Sequence, residues 1–173
     1  MSEAHDGRAR LRIDARWIVP VVPAGCVLEQ HALIIEDEHI LDLLPCREAD
    51  ARYPGLQVLS LPEHMLIPGL INLHGHAAMT LFRGLADDLP LMTWLNEHIW
   101  PAETAHVSEA FVEDGVRLAM AEMIRGGTTT FSDMYFFPEV TARLAQQQHM
   151  RVQCCFPILD FPTNWGAGPD DYL

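Results

Sequence analysis

The chain has 173 residues, of which 49% are hydrophobic and 20% are charged, so its composition is that of a folded globular protein and not of a disordered one. Its 24 acidic and 11 basic residues give a net charge of −13, which disfavours nucleic acid and anionic membrane surfaces as partners. The sequence contains no apolar stretch near the roughly 18 residues of a membrane-spanning helix, and its start is too polar for a signal peptide. We therefore expect a cytoplasmic protein with four reduced cysteines, which are Cys26, Cys46, Cys154 and Cys155.

The first third of the chain has the pattern of β-strands. Apolar and polar residues alternate from Leu11 to Val19, with a lapse at Ile18, which is the period of a half-buried strand. Two apolar runs, 32–35 and 40–44, are joined by four polar residues and predict a hairpin. These patterns predict a small antiparallel sheet that extends to about residue 62.

After Pro68-Gly69, predicted strands alternate with predicted helices. An apolar strand ends at His74-Gly75-His76, and further strands are predicted over 128–131 and 152–156. Between the first two strands lie a short helix over 90–99 and a helix with Ser108 as its N-cap that ends at Gly126-Gly127. A third helix, from Pro138 to about 149, precedes the last strand. In the second helix Val112, Val116, Met120 and Met123 lie on one face. This order predicts an α/β fold with a parallel sheet, either doubly wound or the opening of a β/α barrel.

His74 and His76 are the strongest candidates for chemistry. Two residues apart on a predicted strand, they place their side chains on one face, with their backbones about 6.6 Å apart, so both imidazoles can bind one metal ion. Such pairs also arise by chance, but this one lies at the C-terminal end of a predicted parallel strand, where α/β and barrel folds place their sites. Asp133 ends the next predicted strand, and we expect it to make a structural hydrogen bond to a neighbouring loop.

Five segments between residues 68 and 103 carry a resemblance to a known family. The sequence PGLINLHGH at 68–76, followed by TLFRGLADD at 80–88, resembles the amidohydrolase superfamily in its chlorohydrolase and nucleoside-deaminase branch. The residues Leu89-Pro90-Leu91-Met92, Trp94-Leu95 and the IWPAE segment at 99–103 are similar to the deaminases of 5'-methylthioadenosine and S-adenosylhomocysteine.

The resemblance implies a fold and a division of the chain. Residues 1–65 would form a small antiparallel β-sandwich domain, and residues 66–173 would form the first three β/α units of a (β/α)8 metal-dependent hydrolase barrel. Three strands leave an open sheet edge and an exposed apolar face, so we expect the chain to be the N-terminal part of a longer polypeptide.

The resemblance also implies roles for individual residues. His74 and His76 would bind one catalytic ion, Zn²⁺ with Fe²⁺ or Mn²⁺ as alternatives. Glu103 would accept hydrogen bonds from the 2' and 3' hydroxyls of a ribose, although a solvated loop carboxylate is the alternative. Trp94 would line the pocket, unless it is a core or subunit-contact aromatic residue. A further histidine, an aspartate and the proton-shuttling glutamate are expected beyond Leu173.

The implied function is hydrolytic deamination of 5'-methylthioadenosine or S-adenosylhomocysteine to the inosyl product and ammonia, with the isolated 173-residue chain inactive. The alternatives are a guanine-type deaminase, a triazine hydrolase, or a non-catalytic relative with the same fold. The implied partners are a small purine nucleoside and the remainder of the polypeptide, with a homo-oligomer open. Nucleic acid and membrane are not expected.

Overall fold

The computed structural model describes residues 10–172, which form two compact units that divide between Pro68 and Gly69. Each unit has its own sheet, with strand order β3-β2-β1-β4 in the first and β5-β6-β7 in the second. All four cysteines are free thiols, as expected. No helix within residues 10–172 is long and apolar enough to cross a lipid bilayer.

The N-terminal unit is a four-stranded sheet with one short helix. Its elements are β1 (Arg10–Ile18), β2 (Leu28–Glu36), β3 (His39–Pro45), α1 (Cys46–Arg52) and β4 (Gln57–Leu66). The predicted hairpin is confirmed, because β2 and β3 pair antiparallel with Glu36 opposite His39. Its small core contains Ala32, Ile34, Leu44 and Ala49.

The sheet is mixed, and the expectation of a purely antiparallel sheet is wrong for one strand pair. β4 pairs with β1 in the parallel direction. The reason is α1, which carries the chain from β3 across to the far side of β1, so that β4 enters beside β1. The sequence pattern does not reveal α1, because Ala49 is its one buried residue.

The C-terminal unit is built on a parallel sheet. Its strands are β5 (Leu70–Asn72), β6 (Thr128–Met134) and β7 (Arg151–Cys155), and its longer helices are α4 (Glu109–Arg125) and α5 (Pro138–Gln147). Both strand pairs are parallel, which confirms the predicted direction. Because the strands are parallel, their C-terminal ends lie at the same edge of the sheet. The closed barrel and the N-terminal sandwich remain predictions.

The helix predicted over 90–99 continues farther than expected. α2 (Leu91–Trp94), a π-helical turn (Leu95–Ile99) and α3 (Trp100–His106) follow one another without a break. Pro101 has no N–H to donate, but it lies in the first turn of α3, where a proline is tolerated. The π turn precedes it, with the Trp100 N–H donating to the Leu95 carbonyl oxygen.

α4 matches its predicted limits and its predicted buried face. The Ser108 hydroxyl accepts a hydrogen bond from the Phe111 N–H at 3.2 Å and so caps the helix. Val112, Val116 and Met120 are buried in the main core of this unit. The core also contains Ala77 and Ala78, which lie in the 3-10 turn (Ala77–Phe82) directly after His76.

Candidate functional site

The two predicted metal ligands lie together in the loop that follows β5, and not on the strand as predicted, because β5 ends at Asn72. The Asn72 side-chain oxygen accepts a hydrogen bond from the His74 N–H at 3.2 Å, which turns the chain after the strand. The ring centroids of His74 and His76 are 5.1 Å apart, with 83° between the ring planes. His74 is exposed and His76 is half-buried. Two imidazoles at this separation fit adjacent positions around one ion.

One hydrogen bond determines which nitrogen of His76 is free to bind a metal. His76 Nδ1 lies 2.7 Å from the carbonyl oxygen of Met134. A carbonyl oxygen only accepts, so Nδ1 carries the proton and Nε2 keeps its lone pair. Metal-binding histidines usually donate their other ring N–H to a carbonyl or carboxylate in this way. This hydrogen bond therefore fixes the orientation of the His76 ring and, in the neutral imidazole, leaves Nε2 free.

The donor set fits part of a catalytic metal centre. Neutral imidazole suits Zn²⁺, and a catalytic zinc site normally has three protein ligands. Within residues 10–172, no third His, Cys, Asp or Glu joins His74 and His76 in a group that could hold an ion. The described residues could thus supply at most two ligands of such a site from this group.

The end of β6 holds the loop that carries the histidines. The Met134 N–H donates to the Gly75 carbonyl oxygen at 3.0 Å. Asp133, which is 3% exposed, accepts from the Ala77 N–H at 2.7 Å and from the Thr141 hydroxyl at 3.3 Å. Burial raises the pKa of Asp133, and these hydrogen bonds oppose the rise. The hydrogen bond expected from Asp133 to a neighbouring loop is therefore present.

A cavity of about 320 Å³ lies beside His76, and three of the four predicted site residues line it. They are His76, Glu103 and Trp94, whereas His74 is not among the lining residues. Most of the wall is apolar, with Met79, Trp100 and other aromatic and aliphatic residues. A cavity of this size with a few polar groups suits a small molecule.

Glu103 lies on α3 with its carboxylate held by a buried tyrosine. The Tyr135 hydroxyl donates to Glu103 Oε1 at 2.9 Å, and Tyr135 is 6% exposed. Burial raises the pKa of Tyr135, so the phenol stays neutral and acts as donor. Burial also raises the pKa of Glu103, against the effects of the Tyr135 hydrogen bond and of His76. A half-buried helical residue with a fixed partner does not match the solvated-loop alternative.

Sequence reasoning missed two residues that organise this site. Tyr135 lies two residues after Asp133 at the same strand end. Residues at the C-terminal ends of parallel strands tend to face the site, and this reasoning, which selected Asp133, could also have selected Tyr135. Asn164 gave no such signal, because it lies in the irregular segment after β7. Its side-chain amide donates to the carbonyl oxygens of Glu103, Thr104 and Val107 at 3.1, 3.0 and 2.8 Å. It thereby caps the C-terminal end of α3.

Comparison with known proteins matches the chain to one family and to related structures. The Amidohydrolase family profile matches residues 65–171. The 5-methylthioadenosine/S-adenosylhomocysteine deaminase of Saccharophagus degradans is 57% identical over 165 residues, which is 95% of this chain and 37% of that protein. The crystal structure of an adenosine deaminase from Xanthomonas campestris with bound zinc has a TM-score of 0.91 and 45% identity, and the match covers 95% of this chain and 37% of that one.

A more distant neighbour supports the fold alone. The triazine hydrolase of Arthrobacter aurescens has a TM-score of 0.80 at 18% identity, over 95% of this chain and 40% of that one. The chain therefore spans well under half the length of the relatives it matches.

Proposed function

The chain belongs to the amidohydrolase family, and we propose that it supplies the first part of the active site of a hydrolytic adenosyl deaminase. The substrate would be 5'-methylthioadenosine or S-adenosylhomocysteine, the two compounds in the name of the relative at 57% identity. One observation carries the proposal: His76 and Glu103 line the same cavity. A metal ligand and a carboxylate around one small-molecule cavity suit a nucleoside whose base and ribose are bound separately.

His74 and His76 are the residues of this chain that would hold the ion. Such an ion would lower the pKa of a bound water molecule to about 7 and would thereby make hydroxide available at neutral pH. His76 contributes Nε2, and its Nδ1–H bond to Met134 keeps the ring from turning away. We propose that the remaining ligands and the proton-shuttling glutamate belong to other parts of a longer polypeptide, in keeping with the share of the relatives that the chain spans.

Glu103 would bind the ribose and take no part in bond breaking. Its carboxylate can accept from two neighbouring hydroxyls, and charge strengthens both hydrogen bonds. Trp94 and the apolar wall would contact the purine and exclude water. In this orientation the amino group at C6 of the purine would lie next to the histidines, and the ribose diol would face Glu103 on α3.

The test is deamination by the zinc-loaded full-length polypeptide that contains these residues. We expect ammonia release from 5'-methylthioadenosine, S-adenosylhomocysteine or both, and about one equivalent of bound metal. Reaction with guanine or a triazine, with no ammonia released from either nucleoside, would contradict the proposal. It would favour a guanine-type deaminase or a triazine hydrolase. Less than a tenth of an equivalent of metal would instead indicate a non-catalytic relative.

Substitution of Glu103 tests the ribose assignment. We expect Glu103→Ala to reduce kcat/KM for the nucleosides at least tenfold, because a charged hydrogen-bond partner is lost, while free adenine is deaminated at the wild-type rate. Glu97→Ala is the matched control, because Glu97 is exposed on the π turn before α3 and does not line the cavity. Equal losses on nucleoside and free base would refute the ribose role.

A further inference from the structure

Two consecutive residues at the end of β6 contact the two functional groups of the cavity. The carbonyl oxygen of Met134 accepts from His76 Nδ1 at 2.7 Å. The hydroxyl of Tyr135 donates to Glu103 Oε1 at 2.9 Å. Because both contacts come from adjacent residues, one short segment positions both the His76 ring and the Glu103 carboxylate.

Tyr135 is itself firmly held. It is 6% exposed, and its ring centroid lies 5.1 Å from that of Phe136. Its backbone N–H donates to the Cys155 carbonyl oxygen at 3.4 Å, which joins it to β7. Because burial and the backbone hydrogen bond restrict movement of the Tyr135 ring, its hydroxyl group donates in one direction, toward Glu103 Oε1.

We propose that Tyr135 is a positioning residue for ribose recognition, an inference that rests on the proposed function. By occupying Oε1, its hydroxyl restricts rotation of the Glu103 carboxylate and leaves Oε2 directed toward the 2' and 3' hydroxyls. Asn164 holds the helix backbone at Glu103 independently. Loss of the phenol hydroxyl therefore releases the carboxylate without releasing α3.

The test compares two ligands that the enzyme cannot consume. Inosine and 2',3'-dideoxyinosine both lack the 6-amino group, and they differ only in the ribose diol. Isothermal titration calorimetry on the zinc-loaded full-length polypeptide gives the ratio of their Kd values. We expect Tyr135→Phe to reduce the preference for inosine about tenfold, the usual effect of one hydrogen bond to a charged group, with zinc content unchanged.

The chain offers a closely matched control. Tyr53 in the N-terminal unit also donates to a carboxylate oxygen, Asp42 Oδ2, at 2.9 Å. Tyr53→Phe removes the same type of hydrogen bond and is expected to leave the inosine preference within twofold of wild type. In a Glu103→Gln background, Tyr135→Phe is expected to cause no further loss, because the two residues act through one contact.

The outcomes separate this inference from the proposed function. A wild-type protein that binds both ligands equally would overturn the ribose role of Glu103 and with it this inference, whereas the proposed deamination is tested separately by ammonia release. A wild-type preference that persists in Tyr135→Phe would overturn the positioning role and leave the ribose role of Glu103 intact. A Tyr135→Phe protein that loses zinc or weakens equally for both ligands would show a merely structural tyrosine, which also overturns the inference.

Discussion

Glu103 is a carboxyl group whose surroundings act on its pKa in opposite directions. Burial is the largest influence and raises the pKa, whereas the Tyr135 hydrogen bond lowers it. The net pKa lies above the ordinary value of 4.5. Since a charged carboxylate accepts hydrogen bonds more strongly than a neutral one, the protonation of Glu103 would control ribose binding in its proposed role.

This pKa predicts a pH dependence for ribose recognition. Glu103 is ionised above its pKa and protonated below it, so the preference for inosine over 2',3'-dideoxyinosine should fall as the pH decreases through a value higher than 4.5. The Kd ratio, measured by calorimetry from neutral to acid pH, checks this. Protonation of metal ligands weakens both compounds alike and cancels in the ratio. Glu103→Gln should give a ratio that does not change with pH, and a wild-type ratio that is equally flat would contradict the prediction.

At the scale of elements, α4 packs backbone to backbone against the turn that follows the histidines. Gly115 lies in the interior of α4, where glycine costs about 1 kcal/mol relative to alanine. A Cβ atom at this position would lie 2.4 Å from the Ala78 carbonyl oxygen. The close approach explains the glycine and ties the stability of the helix to the position of the histidine loop.

Gly115→Ala should therefore destabilise the protein in spite of its better helix propensity. Overpacking costs about 1–3 kcal/mol, and a Cβ atom 2.4 Å from a backbone oxygen places the cost in the upper part of that range, above the gain of about 1 kcal/mol from propensity. Displacement of the Ala77–Phe82 turn should also lower zinc occupancy, because that turn begins next to His76. Denaturant unfolding and metal analysis measure the two effects. Gly126→Ala, at the end of the same helix with its nearest neighbouring atom at 3.4 Å, is the control, and equal behaviour of the two variants would refute the packing argument.

At the scale of the whole molecule, the C-terminal unit exposes apolar residues along its sheet. In the part of the chain that the structure describes, β5 and β7 are edge strands. Leu70, Ile71 and Leu73 are exposed at one edge, with Leu73 at 80%, and Phe156 and Ile158 are exposed after the other. Exposed apolar strand edges favour association with further chain or with other molecules.

We predict that the 173-residue chain produced alone associates and binds an apolar fluorescent dye, whereas the full-length polypeptide does neither. Burial of the edge residues against additional strands would account for the difference. Light scattering, dye fluorescence and intact mass are the measurements. A stable, monodisperse monomer of the short chain without dye binding would contradict this prediction and the expectation of an incomplete barrel.

The sequence by itself determined the features that depend on neighbours along the chain. These are the direction of the parallel strands, the Ser108 cap, the buried face of α4 and the histidine pair at a strand end. Periodicity and capping act over a few residues, so they can be read from the sequence.

Only the tertiary structure decided the partners that meet across long stretches of chain. Tyr135 and Glu103 are 32 positions apart, and Asn164 and Glu103 are 61 apart. β4 pairs with β1 because α1, which has almost no apolar pattern, carries the chain there. The helix continues through Pro101 because a π turn precedes it. Such contacts depend on how the strands and helices pack, and no local pattern encodes that packing.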